Sequence, residues 1–144
     1  MTRKSSMSEA INEAMKLAMR KDENVILLGE DVAGGAEIDH LQDDEAWGGV
    51  LGVTKGLVQE FGRERILDTP ISEAAYIGAA MGAAATGLRP VAELMFNDFI
   101  GCCLDQVLNQ GAKFRYMFGG KAEVPVTIRT THGAGFRAAA QHSQ

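Results

Sequence analysis

Four short stretches read as strands: "NVILLGED", "RILDTP", "RPVAELMF" and "VPVTIRT". The first holds a short, continuous apolar run, which suits a parallel strand buried on both faces. The stretches between them carry helical signals. Met7, Ile11, Ala14, Met15 and Ala18 fall at helical spacing, and Ser6 with Glu9 forms a capping box, which predicts a helix over residues 8–20. "TKGLVQEFG" predicts a short helix ended by Gly62. Residues 72–87 read as a helix of small side chains. Residues 98–118 read as mainly helical, with Ile100, Leu104, Val107, Leu108 and Phe114 apolar. Strands alternating with helices predict an α/β fold, a parallel sheet with helices on both faces.

Size and charge narrow the function classes. The chain has 144 residues, 46% of them hydrophobic, enough for one domain with a real core. A net charge of −5 without a basic stripe argues against nucleic acid. No apolar stretch reaches membrane-spanning length. The start, "MTRKSSMSEA", has no apolar core of the kind a secretory signal needs. Cys102 and Cys103 are adjacent, a poor geometry for a disulfide and too few ligands for zinc, so no metal site is expected and a reducing cytoplasm fits. The end, "GAGFRAAAQHSQ", lacks a closing turn or helix stop and reads as the truncation of a longer protein. Residues 33–53 read as one long loop of glycine, acid and a tryptophan, the kind that is usually functional or interfacial.

In parallel sheets, ligands sit beyond the carboxyl ends of the strands. Three short stretches fall there: Glu30 with Asp31, Ser72 with Glu73, and residues 97–99. Conventional nucleotide sites do not explain them. "GGVLGVTKG" lacks the phosphate-loop spacing, and "GAAMGAAATG" lacks G-x-G-x-x-G. Gly78, Ala79, Gly82, Ala83 and Thr86 instead make a helix face on which another backbone can approach closely, such as that of a second subunit. Glu73 opens that helix. Residue types leave two readings: a dipole-favoured acid beside an N-cap Ser72, or a carboxyl acting on something held at the helix end.

"RILDTPISEAAYIGAAMGAAATGLRPVAELMFNDF" resembles the signature of the E1 beta subunits of thiamine diphosphate-dependent 2-oxoacid dehydrogenases. The likeness extends through "NVILLGEDV", "DQVLNQGAKFRYMFGGKAEVPVTIR" and "AAQHSQ". "DDEAWGGVLGVTKGL" and "LMFNDFIGCCLDQ" look most like the acetoin dehydrogenase branch. The resemblance implies a transketolase-like pyrimidine-binding domain over residues 1–144, without the C-terminal domain that family members carry. It also implies an E1 alpha subunit that holds the diphosphate and magnesium, a second beta subunit, and a lipoyl-bearing E2 partner.

For the residues, the resemblance implies that Glu73 shares a proton with pyrimidine N1′, which promotes loss of the proton on thiazolium C2. Such a carboxyl is expected to be partly buried, with a raised pKa, in a setting made by the alanine-glycine helix and Ile71. Phe99 would stack on the pyrimidine, with core packing as the alternative. Glu30 would sit near the pyrimidine and near Glu73, unless it is a solvated loop acid. Ile71 would supply backbone or apolar contact. His142 would line the channel to C2 and hydrogen-bond the substrate, although a histidine near a chain end is commonly just surface. His40 and His132 read as loop residues, and Asp98 and Cys102 depart from some family members. The small-molecule substrate implied is acetoin, whose two-carbon unit passes to lipoamide. The alternatives are pyruvate or a branched-chain 2-oxoacid, and, in another class, a non-catalytic assembly domain. No turnover is expected of the isolated chain.

Overall fold

The computed structural model describes residues 4–34, 48–133, 135 and 137–143. Its elements are α1 (Met7–Lys21), β1 (Val25–Gly29), α2 (Leu57–Phe61), β2 (Ile66–Asp68), α3 (Glu73–Ala85), β3 (Arg89–Phe96), α4 (Lys113–Met117) and β4 (Thr127–Thr131). A 3-10 segment (Asn97–Cys103) and a π-helical segment (Gln106–Ala112) lead from β3 into α4, and a 3-10 turn spans Ala140–His142. The stretch expected to be mainly helical is therefore helical in three different pitches. Most of residues 33–53, including His40, lies outside the described residues.

All strand pairs are parallel, in the order β2-β1-β3-β4. The chain steps from β1 outward to β2, then returns past β1 to β3. The carboxyl ends of β1 and β3 thus flank the point where the winding reverses, the usual ligand crevice of an open α/β sheet. β1 is buried along its whole length, as its unbroken apolar run requires.

The sheet has a core on each face. On one, Met15 and Met19 of α1 and Leu57 and Val58 of α2 cover Val25, Leu27 and Ile66. On the other, Tyr76, Ile77, Ala80 and Met81 of α3 meet Leu28, Ala92, Leu94 and Cys103. The expected layers are present. The capping box at Ser6 and Glu9 is formed, with Ser6 N donating to the Glu9 carboxylate at 2.7 Å. Asn12 Nδ2 donates to the carbonyls of Val53 (2.7 Å) and Lys55 (3.0 Å), fastening α1 to the segment before α2.

Glycines set the spacing between α3 and the π-helical segment. A Cβ on Gly78 would meet Gln106 Oε1 at 3.0 Å, and one on Gly111 would meet Met81 Sδ at 2.9 Å. Part of the small-residue pattern therefore serves close packing within this chain. Ala74, Ala75, Ala79, Gly82 and Ala85 remain exposed along the outer side of α3.

Candidate functional site

Glu30 follows the last residue of β1, and the backbone turns at once through Asp31, whose φ is +53°. Side chains and backbone pin that exit. Thr54 Oγ1 donates to the Val32 carbonyl (2.8 Å), Gly49 N donates to the Asp31 carbonyl (3.0 Å), and Ala33 N donates to Asp68 Oδ1 (2.7 Å). The β2–α3 connection folds back onto the same place, with Thr69 N donating to the Gly29 carbonyl at 3.0 Å. This bond brings the head of α3 beside the end of β1.

Glu30 and Glu73 consequently share a neighbourhood. Burial raises the Glu30 carboxyl above its ordinary value, and the charges of Glu73 and Asp31 push it further in the same direction. Glu30 Oε1 is buried without a hydrogen-bond partner. Two hydroxyls nearby share that condition, Thr69 Oγ1 and Tyr76 OH. Tyr76 is 3% exposed, and its hydroxyl is held well above the usual phenol range by burial and then by Glu30 and Glu73. The Cys103 thiol is also pushed up, by burial first, with Cys102 and Glu73 adding to it. The site is a local excess of acid in a desolvated setting.

The capping explanation of Glu73 loses one support. Ser72 occupies the N-cap position, but its side chain makes no capping hydrogen bond. Glu73 is half-buried. Ile71, expected to help shelter it, is 84% exposed and does not. Tyr76, from the next turn of α3, stands in the core there instead.

Phe99 lies in the 3-10 segment after β3, half-buried against both cores. Its ring centroid is 5.8 Å from that of Phe96 and 5.7 Å from the His142 imidazole, both edge-on, and His142 stands 4.7 Å from Phe96. His142 is therefore not a loose surface residue. Its turn is tied down on the far side of the sheet end: Ser143 Oγ accepts from Gly133 N (2.7 Å) and donates to the Asp98 carboxylate (3.2 Å). Asp98 acts here as a clamp, a role its residue type did not announce. His132 is exposed just after β4.

Among the described residues the structure thus makes two groups at the strand carboxyl ends: the acids Glu30 and Glu73 with Tyr76, and the rings Phe96, Phe99 and His142. No group of three or more His, Cys, Asp or Glu among the described residues is arranged to hold a metal ion. Sequence reasoning missed Tyr76 and Thr69. The available signal for Tyr76 was its position three residues after Glu73, on one helix face. A hollow of ≈ 540 Å³ runs along α1 near Glu9, Lys16 and Lys55, but no residue of either group lines it. Chemically, the arrangement favours the protonated form of Glu30 through burial, presents aromatic faces, and offers an imidazole beside them.

Comparison with known proteins agrees with this architecture. The family model described as transketolase, pyrimidine binding domain, matches residues 3–144. The acetoin:2,6-dichlorophenolindophenol oxidoreductase subunit beta of Bacillus subtilis (strain 168) is 85% identical over the whole chain, which spans 42% of that protein's length. The pyruvate dehydrogenase E1 component subunit beta of Rhizobium meliloti (strain 1021) is 42% identical over 96% of the chain, covering 28% of that protein. A solved split-gene transketolase, an inactive beta4 tetramer, superposes with a TM-score of 0.60 at 21% identity, over 94% of this chain and 36% of its own. That last likeness concerns the fold. Among the described residues no helix is long and apolar enough to cross a membrane.

Proposed function

The chain belongs to the transketolase pyrimidine-binding domain family, and from that premise we propose that it forms the pyrimidine-holding part of a thiamine diphosphate-dependent E1 beta subunit acting on acetoin. The observation that carries the reading is the pairing of Glu30 and Glu73 at the winding reversal, with a buried Glu30 oxygen that no protein group satisfies. Residue types fit the aminopyrimidine end of the cofactor. A carboxyl that keeps a proton matches a ring nitrogen, and the aromatic group matches a ring face. The diphosphate and magnesium end is assigned to an E1 alpha subunit.

Thiamine diphosphate, when bound, supplies a nucleophilic thiazolium carbon for attack on a carbonyl. In this reading Glu73 holds a proton at pyrimidine N1′. Glu30 keeps a second acid beside it, so that full ionisation of the pair is disfavoured. Phe99 lies on the ring face, Ile71 offers its backbone and exposed side chain at the mouth, and His142 donates to the substrate oxygen. The exposed alanine-glycine side of α3 and the exposed Tyr116, Met117 and Phe118 support assembly with the alpha subunit and a second beta subunit. Transfer of the two-carbon unit to a lipoyl-bearing E2, in the cytoplasm, completes the proposal. Identity of 85% to the acetoin relative, against 42% to the pyruvate relative, favours acetoin as substrate.

The test is Glu73→Gln in the full beta subunit assembled with alpha. Proton exchange at C2 should slow by about 10²–10⁴-fold, the usual contribution of a positioned acid or base. Near wild-type exchange overturns the role of Glu73. Acetaldehyde from acetoin, measured against carbon dioxide from pyruvate, decides the substrate.

A further inference from the structure

We propose that Ser143 and Asp98 are positioning residues for His142: the Ser143 hydroxyl, held between Gly133 and the Asp98 carboxylate, fixes where the imidazole stands at the strand ends. The inference rests on the reading of His142 as the donor to the substrate oxygen, given above.

His142 is half-buried and meets two rings edge-on, Phe96 at 4.7 Å with 66° between the planes and Phe99 at 5.7 Å with 72°. Those contacts set the tilt of the imidazole. They do not set where its backbone sits. Two local features do that. His142 N donates to the Ala139 carbonyl at 2.8 Å. The next residue, Ser143, takes a φ of +79°, a left-handed conformation uncommon for a residue other than glycine. Such a conformation persists where the surroundings hold it.

One hydroxyl supplies that hold. Ser143 Oγ accepts from Gly133 N at 2.7 Å and donates to Asp98 Oδ2 at 3.2 Å. Accepting and donating use different capacities of the hydroxyl, so the two bonds do not compete. Gly133 follows the end of β4 and Asp98 follows the end of β3, so the turn bearing His142 is stitched to two neighbouring strands at once. The Gly133 bond is the short one. The Asp98 bond is longer, but its acceptor is charged, and it orients the hydroxyl.

Asp98 and Phe99 are consecutive in the 3-10 segment. One short element therefore carries both a ring on which His142 rests and the carboxylate that holds its neighbour. Asp98 also stands in the first turn of that segment, where unpaired backbone N–H groups favour an acid. That second role would be independent of His142, and the experiment separates the two.

The test is a double-mutant cycle in the full beta subunit assembled with alpha, read as kcat/KM for acetoin cleavage. Ser143→Ala and Asp98→Ala should each lower it about 3–10-fold, the scale of one lost hydrogen bond. In a His142→Ala background neither should lower it further, because both act through the imidazole. Asp98→Asn keeps an acceptor and should restore most of the rate. A second readout needs no turnover. With labelled histidine and no cofactor, the imidazole resonances of His142, displaced by the two phenyl rings, should move toward their solvent-exposed positions in both alanine variants and stay in Asp98→Asn. Equal losses with and without His142, or imidazole resonances that do not move, overturn the proposal. If His142→Ala lowers the rate and neither alanine variant does, the clamp alone is misassigned. If His142→Ala leaves the rate at wild type, the reading of His142 fails and the proposal falls with it.

Discussion

Replacing Gly29 by alanine should destabilise the chain, whereas the same change at Gly82 should stabilise it. Gly29 closes β1 in register with Glu93 of β3, without a positive φ. The conflict is therefore steric. An added Cβ would lie 2.8 Å from Glu93 Cβ, 2.9 Å from the Glu93 carbonyl oxygen and 3.2 Å from Val32 Cγ1. Carbon atoms pack best at about 3.5–4.0 Å, so the methyl is too close by roughly 0.7 Å. Neither neighbour can retreat freely. One is strand backbone, and the other belongs to a side chain 3% exposed and ion-paired with Arg129. Overpacking of this kind costs about 1–3 kcal/mol, offset by about 0.4–1 kcal/mol from the stiffer unfolded chain. The net loss is about 1–2 kcal/mol. Gly82 is exposed on α3 with nothing within 4 Å of its hypothetical Cβ, so alanine there should gain about 0.5–1 kcal/mol. Urea unfolding of the chain reads both. With a typical slope, Gly29→Ala should lower the midpoint by roughly 0.5–1 M and Gly82→Ala should raise it. A Gly29→Ala midpoint equal to or above wild type would refute the steric reasoning.

Other substitutions probe separate links. Because the folded-state pKa of Glu30 is raised, the folded chain binds its proton more tightly than the unfolded chain does, and stability falls as pH rises from the ordinary value of 4.5 through the raised one. Glu30→Gln should therefore raise the unfolding midpoint at about pH 7 and have little effect near about pH 3, where both states are protonated; equal effects at both pH values would contradict the burial argument. Arg65 donates to the carbonyls of Met19 (2.9 Å), Asp22 (2.9 Å) and Val25 (2.8 Å), joining the end of α1 to the start of β1. Arg65→Met should cost about 1.5–3 kcal/mol, since charged donors are lost from half-buried carbonyls, and a change under about 0.5 kcal/mol in denaturant titration would count against that role. Asn12→Ala should cost about 1–2 kcal/mol in the same titration and loosen the segment after residue 48, seen as faster amide exchange at Lys55. Removing the clamp with Ser143→Ala should disorder His142 against Phe99, measured by NMR order parameters, while leaving the unfolding midpoint nearly unchanged.

Much of this architecture is written in local sequence. The "VILLG" within "NVILLGED" gives a strand because none of its side chains is polar, and Ser6 with Glu9 gives a helix start because two side chains satisfy two backbone donors. The position of Glu73 at the head of α3 was also legible, through its placement after "TPIS". Ile71 was misjudged as shelter because hydrophobicity alone does not say which way a loop residue faces, and here it is 84% exposed. The sequence reads residues 98–118 as mainly helical, and the structure there passes through 3-10, π and α pitches between Asn97 and Met117. Packing against α3, where Gly78 admits Gln106 and Gly111 admits Met81, accompanies that change of pitch, and no local propensity encodes it.

The amino-acid order alone settled which segments become strands and helices, that the sheet would be parallel, and that acids would stand at its carboxyl end, because these follow from hydrophobic period, caps and connection length. Tertiary structure alone decided that Glu30 and Tyr76 meet Glu73 at the head of α3, that His142 seats itself on Phe96 and Phe99, and that Asp98 fastens that seat. These residues are separated by up to 46 positions, as in the Phe96–His142 contact. Electrostatic coupling and burial depend on distance in space, which only the winding of β1, β2 and β3 supplies.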